Sequence, residues 1–310
     1  MAETALIYGD TGIGKTANLK QLAEYLLKMY KGSVVRLLSN DAGGYTPFRQ
    51  SGLIEAGSVK VHDMTNSDFL YAELNHASRG YWPLGGNKWA PWKEPTCCYM
   101  IEGLESCGEN LLSHLSHQTS GRAGFKHSWS YDEEFDGTTY AVGGLDRGHF
   151  GIVQSELLRM HRKGFANLPC PWVIWTSKVG RGSEQQTKET IYGPAMVGSA
   201  QTEKLPGSFG DCLHLEEIEG NDGKVARVAW FVNHFNKAGV KCLAKSRVSI
   251  ELVPWLLKKW PNGYIPLYFD DKGEFHGIEQ YWQFLLEFVP KAMARMKVER
   301  EKDAAKETAV

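Results

Sequence analysis

The sequence lacks any long hydrophobic run and any substantial net charge. No stretch approaches the roughly 18 to 20 continuous apolar residues that a membrane span requires, so we expect a soluble protein with no membrane partner. The formal net charge of −1 at pH 7 gives no overall basic field for nucleic acid, and any such binding has to come from local loops. The 42% hydrophobic content is enough for a substantial core.

The sequence also lacks the paired-cysteine spacing C-x-x-C, although it contains 6 cysteines. Most of them sit inside apolar, strand-like runs, which favours reduced, buried thiols over a zinc site or disulfides. No signal-peptide pattern precedes the first strand, so the protein is expected to be unprocessed and cytoplasmic. The cysteines are Cys97, Cys98, Cys107, Cys170, Cys212 and Cys242.

The most informative motif present is a match to the phosphate-binding loop G-x-x-x-x-G-K-[ST]. An apolar, strand-like run over 4–8 precedes it, and leucines at helical spacing follow over 17–31. This order of strand, loop and helix is the context in which the motif binds phosphate; the alternative is a glycine-rich turn with a chance lysine. The motif residues are Gly9, Asp10, Thr11, Gly12, Ile13, Gly14, Lys15 and Thr16.

The chemistry of this loop predicts a nucleoside triphosphate, ATP, as ligand. Its glycines let backbone N–H groups curl around a phosphate, and the helix that starts near Ala17 adds its positive end. We expect Lys15 to reach the β- and γ-phosphate oxygens and the Thr16 hydroxyl to ligate Mg²⁺.

Strand-like and helical segments alternate along the chain, which predicts a doubly wound, mainly parallel sheet with helices on both faces, followed by an antiparallel C-terminal extension. We expect a core over 1–250 with insertions near 80–95 and 119–147, an aromatic-rich extension over 251–298 containing a helix over 278–298, and a charged tail over 299–310. Expected strands are 33–38, 59–62, 96–101, 171–176, 212–218, 225–232 and 240–245. Expected helices are 105–117 and 150–165, a hairpin turn is expected at 221–223, and 119–147 and 178–210 are expected to be irregular.

An acidic residue ends the apolar run over 98–101. A phosphate loop needs a carboxylate on a neighbouring strand end to hold Mg²⁺ through water, and Glu102 is the best candidate. The alternative is an exposed charge at a strand end. Glu105 is either a capping or structural acid or a contact of the attacking water.

The order of these features resembles the RecA-like P-loop ATPases over roughly residues 4–250. Within that group, the chain looks most like the phage-encoded AAA-domain ATP-binding proteins that include the Sak-type single-strand annealing ATPases. The phosphate loop is the one highly specific motif, and the other matching segments support the resemblance through their order along the chain. They are Ser39-Asn40-Asp41, Glu102, 149–154, 168–172, 172–176, 192–194, 205–211 and Lys245-Ser246-Arg247.

The resemblance implies roles for two strand ends. Asp41 occupies the place of a glutamate that polarises the attacking water, although it is shorter by a methylene; a turn-forming aspartate is the alternative. Thr176-Ser177-Lys178 lies where such folds place a polar sensor near the γ-phosphate, and polar residues that simply end a strand are the alternative.

Lys245 and Arg247 are two residues apart on an expected strand, so both side chains would share a face. By the resemblance, such a pair projects toward the nucleotide of the next subunit, which implies a homo-oligomer in the form of a ring or filament. The alternative is a charged strand edge.

The segment after 176 carries Lys178, Arg181 and Lys188, a composition suited to the backbone of single-stranded DNA. Glu184 and Glu189 offset part of this charge, and a solvated flexible loop is the alternative. The tryptophans near 80–95 either stack bases or form a rigid packed cap.

The preferred function is therefore an ATP-hydrolysing protein associated with DNA recombination, single-strand annealing or replication, located in the host cytoplasm if a phage encodes it. The alternative is a nucleotide-switched packaging or virion-assembly ATPase that acts through protein partners. A small-molecule kinase fits the late Lys-x-Arg pair and the extra strands poorly.

Overall fold

A computed structural model of the chain describes most of its 310 residues. Asp41, Asn221 and Asp222, the segment 117–129 and the tail over 299–310 lie outside the described residues. The described ranges are 2–40, 43–65, 67, 70–85, 88–116, 130–135, 138–143, 147–220, 223–291 and 293–294.

The described residues form helices and strands in alternation over the first part of the chain and mostly strands thereafter. The strands are β1 (Glu3–Gly9), β2 (Val34–Ser39), β3 (Val59–Asp63), β4 (Tyr81–Gly85), β5 (Lys88–Pro91), β6 (Thr96–Glu102), β7 (Ser130–Phe135), β8 (Thr138–Gly143), β9 (Trp172–Ser177), β10 (Val179–Ser183), β11 (Thr190–Pro194), β12 (Asp211–Glu219), β13 (Val225–Trp230), β14 (His234–Phe235), β15 (Lys241–Cys242), β16 (Tyr264–Phe269) and β17 (Phe275–His276). The α-helices are α1 (Lys15–Met29), α2 (Thr46–Gln50), α3 (Leu70–Ser78), α4 (Leu104–Ser116), α5 (Arg147–Arg159), α6 (Val253–Lys259) and α7 (Glu279–Gln283).

The main sheet has the order β17-β16-β13-β12-β1-β9-β6-β2-β3. The strands from β3 to β12 in this order run parallel, and β13, β16 and β17 continue the sheet in antiparallel pairs. The predicted fold class is confirmed in its architecture: this is an α/β fold with a mainly parallel sheet, helices on both faces and an antiparallel C-terminal extension.

Successive residues of the central strand β1 point to opposite faces of the sheet, and each face packs against helices. Ala5 and Ile7 belong to one hydrophobic cluster, which includes α1 and the aromatic residues of the C-terminal segment. Leu6 and Tyr8 belong to the other, which includes residues of α3, α4 and α5. The C-terminal aromatics Tyr281 and Trp282 are fully buried against the same cluster as α1.

Three segments expected to be insertions or irregular loops contain antiparallel hairpins. The hairpin β4–β5 lies within 80–95, β7–β8 lies within 119–147, and β10–β11 lies within 178–210. Glycine-rich and mixed-charge sequences show no strand pattern here, because pairing with a neighbouring strand, rather than intrinsic β-propensity, stabilises these strands. The prediction of a long loop over 178–210 was wrong in this respect.

Two other expected elements differ in extent. The strand over 240–245 is limited to β15, and Lys245 joins the main sheet only through an isolated bridge to Cys212. The helix over 278–298 is represented by α7 and a π-helical turn over Phe284–Phe288. A second π-helical turn, Met160–Gly164, follows α5.

The tryptophan-rich segment forms a packed cap over a buried arginine. The Arg36 guanidinium lies 4.8 Å from the ring centroid of Trp82 and 5.2 Å from that of Trp92. It donates to Glu94 Oε2 at 2.7 Å and to Thr96 Oγ1 at 3.2 Å. These contacts use the tryptophan faces for packing, which favours the rigid cap over base stacking.

All six cysteines are buried with free thiols, as expected from their apolar surroundings. Within the described residues, no helix combines the length and apolar composition that crossing a membrane requires.

Replacing Arg36 with alanine should destabilise the fold, because it leaves the two tryptophan faces and the Glu94 carboxylate without their common partner. We expect the free energy of unfolding to fall by about 2–4 kcal/mol, as for other large buried side chains cut back to alanine. Urea denaturation measures the change. The exposed Lys93→Ala in the same segment is the control, with a change within about 0.5 kcal/mol; equal effects of both variants would contradict the cap.

Candidate functional site

A cavity of about 380 Å³ opens at the carboxyl ends of β1, β6 and β9. The carboxyl ends of parallel strands are where open α/β sheets bind ligands. Its lining residues come from the phosphate loop and the start of α1, from α2, from the end of β6 and the start of α4, and from the end of β9 and the residue after it. They are Thr11, Gly12, Gly14, Lys15, Thr16, Ala17, Pro47, Glu102, Gly103, Glu105, Thr176 and Lys178.

The loop between β1 and α1 has the curled backbone that the motif predicts. Gly12 and Gly14 have φ angles of 82° and 100°, which side-chain-bearing residues rarely adopt. Gly9 leaves no room for a Cβ, which would lie 2.7 Å from the carbonyl oxygen of Leu215. Asp10 and Ile13 complete the loop, where the Ile13 amide donates to the Asp10 carbonyl oxygen at 3.3 Å.

Lys15 lies folded onto its own loop. Its Nζ donates to the carbonyl oxygens of Gly9 at 2.8 Å and Asp10 at 2.9 Å. Burial lowers the pKa of Lys15, and the nearby carboxylates of Glu105 and Glu102 partly oppose this shift. The ammonium group is therefore positioned in a cavity where a further anion would raise its pKa again.

Glu102 joins the end of β6 to the start of α1. The Thr16 hydroxyl donates to Glu102 Oε1, and Glu102 Oε2 accepts a long hydrogen bond of 3.5 Å from Ser39 Oγ. The carboxylate is 3% exposed. Thus Glu102 is not an exposed strand-end charge, and the structure brings it together with the residue expected to ligate the metal.

The surroundings of Glu102 fit a Mg²⁺ ion. Hydroxyl and carboxylate oxygens are the ligands that Mg²⁺ prefers. Gly44 keeps space open beside the carboxylate: a Cβ there would overlap Glu102 Oε2 and lie 3.0 Å from Ser39 Oγ. Thr16 would hold the ion directly and Glu102 would hold it through water.

Glu105 and Lys178 both line this cavity and contact each other. Glu105 Oε2 accepts the backbone N–H of Lys178 at 3.1 Å, and the Lys178 ammonium lies 3.6 Å from Glu105 Oε1. The neighbouring Thr176 hydroxyl accepts the backbone N–H of Gly103 at 3.0 Å. The end of β9 therefore lies at the cavity, where the resemblance places a sensor.

A second cavity of about 350 Å³ adjoins the first and shares Gly14, Ala17 and Pro47 with it. Aromatic side chains from β16 and β17, Phe269 and Phe275, contribute to its wall, together with Arg227 of β13. No sequence pattern indicated these residues, because they reach the phosphate loop only through the antiparallel pairing of the extension.

Asn18 links the phosphate loop to the C-terminal segment. Its Nδ2 donates to the Gly14 carbonyl oxygen at 2.9 Å, and its Oδ1 accepts the backbone N–H of Ile278 at 3.0 Å. The residue is 1% exposed. A buried asparagine in the first turn of an otherwise apolar helix face is a signal from which this role could have been inferred.

The structure does not bring Lys245 and Arg247 to the cavity. Arg247 forms an ion pair with the fully buried Asp211 and a hydrogen bond of 3.1 Å to the Thr4 carbonyl oxygen, at the amino end of β1. The phosphate loop follows the opposite end of this strand. These contacts favour a structural role for Arg247, and a role in a neighbouring subunit stays a prediction.

The residues predicted to bind DNA lie in the stretch of chain that begins at the edge of the cavity, just after β9. Lys178 precedes β10, Arg181 lies exposed on β10, and Lys188 lies exposed in the turn before β11 with a φ of 63°. Glu184, on the same hairpin, is engaged with Lys241 at 2.8 Å. Arg181 and Lys188 thus retain exposed charge, whereas Lys178 is directed toward Glu105.

Comparisons with known proteins identify no family for the chain. A scan against models of known protein families finds no match, and no curated protein matches the sequence. Among solved structures, a KaiC-like protein from Pyrococcus horikoshii OT3 matches with a TM-score of 0.42 and 11% identity over 88% of this chain and 89% of that chain. The flagellar accessory protein FlaH from Methanocaldococcus jannaschii matches with a TM-score of 0.42 and 10% identity over 88% of each chain. Likenesses of this degree do not indicate an activity, a substrate or a partner for the present chain.

Placing a methyl group at position 44 should disturb the carboxylate of Glu102. We expect Gly44→Ala to lower the free energy of unfolding by about 1–3 kcal/mol, the usual effect of overpacking. Chemical denaturation measures it. Gly207→Ala is the matched control, because a Cβ at Gly207 meets no atom within 4 Å; a Gly44→Ala protein as stable as this control would contradict the close approach.

Proposed function

We propose that the chain binds ATP and hydrolyses it. The observation that supports this proposal most directly is the hydrogen bond between Thr16 and Glu102 beside the curled phosphate loop. It joins the predicted metal-binding hydroxyl and the predicted acid in one cavity that also contains Lys15.

The residues of the loop would bind the triphosphate. Its backbone N–H groups and the start of α1 present positive charge, and Lys15 would exchange its two carbonyl acceptors for β- and γ-phosphate oxygens. Mg²⁺, when bound, supplies positive charge that offsets the charge developing on the phosphates.

We further propose Asp41 as the residue that positions the attacking water, as the resemblance implies. Ser39, two residues earlier, pairs in register with Glu102, so the chain passes close to the cavity at this point. Glu105 is the alternative, since its buried carboxylate lines the cavity itself.

The second cavity suits the base and ribose of the nucleotide. It is continuous with the phosphate site through Gly14 and Ala17, and Phe269 and Phe275 offer apolar surface for an aromatic base. The triphosphate and the base would thus be bound on opposite sides of Gly14.

Nucleotide hydrolysis by purified variants tests the proposal. Lys15→Ala should lower kcat by about 100-fold or more, because it removes a charge that stabilises the transferring phosphoryl group. Glu102→Gln should lower kcat more than it weakens ATP binding, since it keeps the shape of the side chain but removes its charge. Lys28→Ala, an exposed lysine on the same helix, is the control with unchanged turnover; wild-type turnover by Lys15→Ala would exclude the proposed site.

We also propose that ATP use is coupled to single-stranded DNA, in recombination, annealing or replication, as in the phage-encoded Sak-type proteins that the sequence resembles. The support is the position of Arg181 and Lys188 on the hairpin that follows the cavity-lining end of β9. A homo-oligomer in the host cytoplasm is part of this proposal.

An assembly factor that binds protein is the second candidate. An apolar groove of about 520 Å³, lined in part by Leu252, Leu285 and Val289, favours it. Packaging or virion assembly would be the corresponding function.

Single-stranded DNA should stimulate hydrolysis if the first candidate is right. Arg181→Gln combined with Lys188→Asn should abolish the stimulation and leave the basal rate unchanged, because asparagine tolerates the positive φ at position 188. Lys28→Ala with Lys31→Ala removes the same formal charge elsewhere and should keep the stimulation. A basal rate that DNA does not change would favour the assembly factor.

A further inference from the structure

Two histidines and a cysteine meet in a buried cluster outside the nucleotide cavity. His214 belongs to β12 of the main sheet, whereas His234 and Cys242 are paired across β14 and β15 of a small four-stranded sheet. Their potential ligand atoms all lie within 4.8 Å of one another, and all three residues are buried. Residues from two sheets therefore converge at one point.

Glu216 lies beside the cluster and contacts His234, although its carboxylate is not among the ligand atoms that lie within 4.8 Å of one another. It lies two residues after His214 on β12, so both side chains project from the same face of the strand. Its Oε2 lies 3.0 Å from His234 Nε2 and also accepts from Trp230 Nε1 at 3.0 Å. Two imidazoles, one thiol and one carboxylate form the kind of mixed donor set that suits zinc.

The spacing of the two imidazole nitrogens fits a shared metal ion. His214 Nδ1 and His234 Nε2 lie 3.3 Å apart. Two nitrogens bound to one tetrahedral Zn²⁺ at about 2.0–2.1 Å lie about 3.3–3.4 Å apart. The ligand separation that a metal would impose is thus already present.

Hydrogen bonds among the protein groups satisfy this cluster poorly. His234 Nε2 faces both His214 Nδ1 and Glu216 Oε2, so a single proton would have to serve two acceptors. The other ring nitrogen, His234 Nδ1, is buried without a hydrogen-bond partner among the described residues. Buried polar groups usually have partners, and a metal ion would use the converging lone pairs.

Aromatic stacking holds both rings in place. Tyr8 stacks on His214 with ring centroids 4.5 Å apart, and Trp230 stacks on His234 at 4.0 Å. Packing that fixes ligand orientation is typical of a built metal site. Tyr8 is also the residue before Gly9, where the phosphate loop begins.

We propose that His214, His234 and Cys242, with Glu216 beside them, form a structural Zn²⁺ site that fastens the small sheet to β12, the neighbour of the strand leading into the phosphate loop. A movement of the Glu216 carboxylate toward the ion would complete a tetrahedral shell, so that the site stabilises the fold and leaves no position for a substrate. This inference does not depend on the proposed hydrolysis of ATP.

Metal analysis of the nucleotide-free full chain tests the site. After chelation and dialysis against Zn²⁺, we expect one equivalent of zinc per chain and a Tm that rises by about 4 °C at a free Zn²⁺ concentration 100 times the Kd. Co²⁺ in its place should give the visible bands of a tetrahedral site and a thiolate charge-transfer band.

Three variants locate the metal. Cys242→Ser should lose the thiolate band and the Tm gain, whereas Cys97→Ser, equally buried at 1% exposure, should keep both. His276→Gln should also keep them, which separates the site from the more exposed cluster of Asp270, Glu274 and His276. Absence of stoichiometric zinc, of the Tm gain or of the thiolate band in the unmodified chain would overturn the proposal, as would an unchanged Cys242→Ser protein.

Discussion

The arrangement of the candidate site depends on the buried carboxylate of Glu102. A carboxylate that is 3% exposed requires hydrogen-bond donors or a cation, because water no longer solvates it. Its donors, Thr16 and Ser39, come from α1 and β2, and Gly44 provides the space beside it. Two segments that are distant from Glu102 in the sequence, one with Thr16 and the other with Ser39 and Gly44, are therefore positioned around one negative charge, and a shift of either changes its solvation.

The features that the sequence could predict are local. The phosphate loop is contiguous, so its glycines determine the backbone conformation and its lysine and threonine determine the chemistry. Glu102 was predictable because an apolar run ending in an acid indicates a buried strand that reaches the edge of the sheet. The parallel core followed from the alternation of strands and helices.

The features that could not be predicted depend on contacts between distant residues. An alternating pattern suggested that Lys245 and Arg247 share a strand face, but it does not reveal that the buried Asp211 binds the guanidinium. The same limit applies to Arg227 and Phe275, which approach the phosphate loop through antiparallel pairing. In the hairpins inside the expected loops, each strand is stabilised by pairing with the other, and the β-propensity of one strand taken alone does not detect them.

Two contacts of unequal strength, both between Lys178 and Glu105, connect the cavity of the candidate site to the exposed hairpin β10–β11. The Lys178 ammonium is 3.6 Å from Glu105 Oε1, but its side chain is 47% exposed, so solvent screens this pair to within about 1 kcal/mol. The backbone N–H of Lys178 donates to the buried Glu105 carboxylate at 3.1 Å, and a hydrogen bond to a charged group contributes about 1.5–3 kcal/mol. A ligand that displaces Glu105 would therefore act on the start of β10 mainly through the backbone. Removing the charge of Lys178 would leave most of that connection in place.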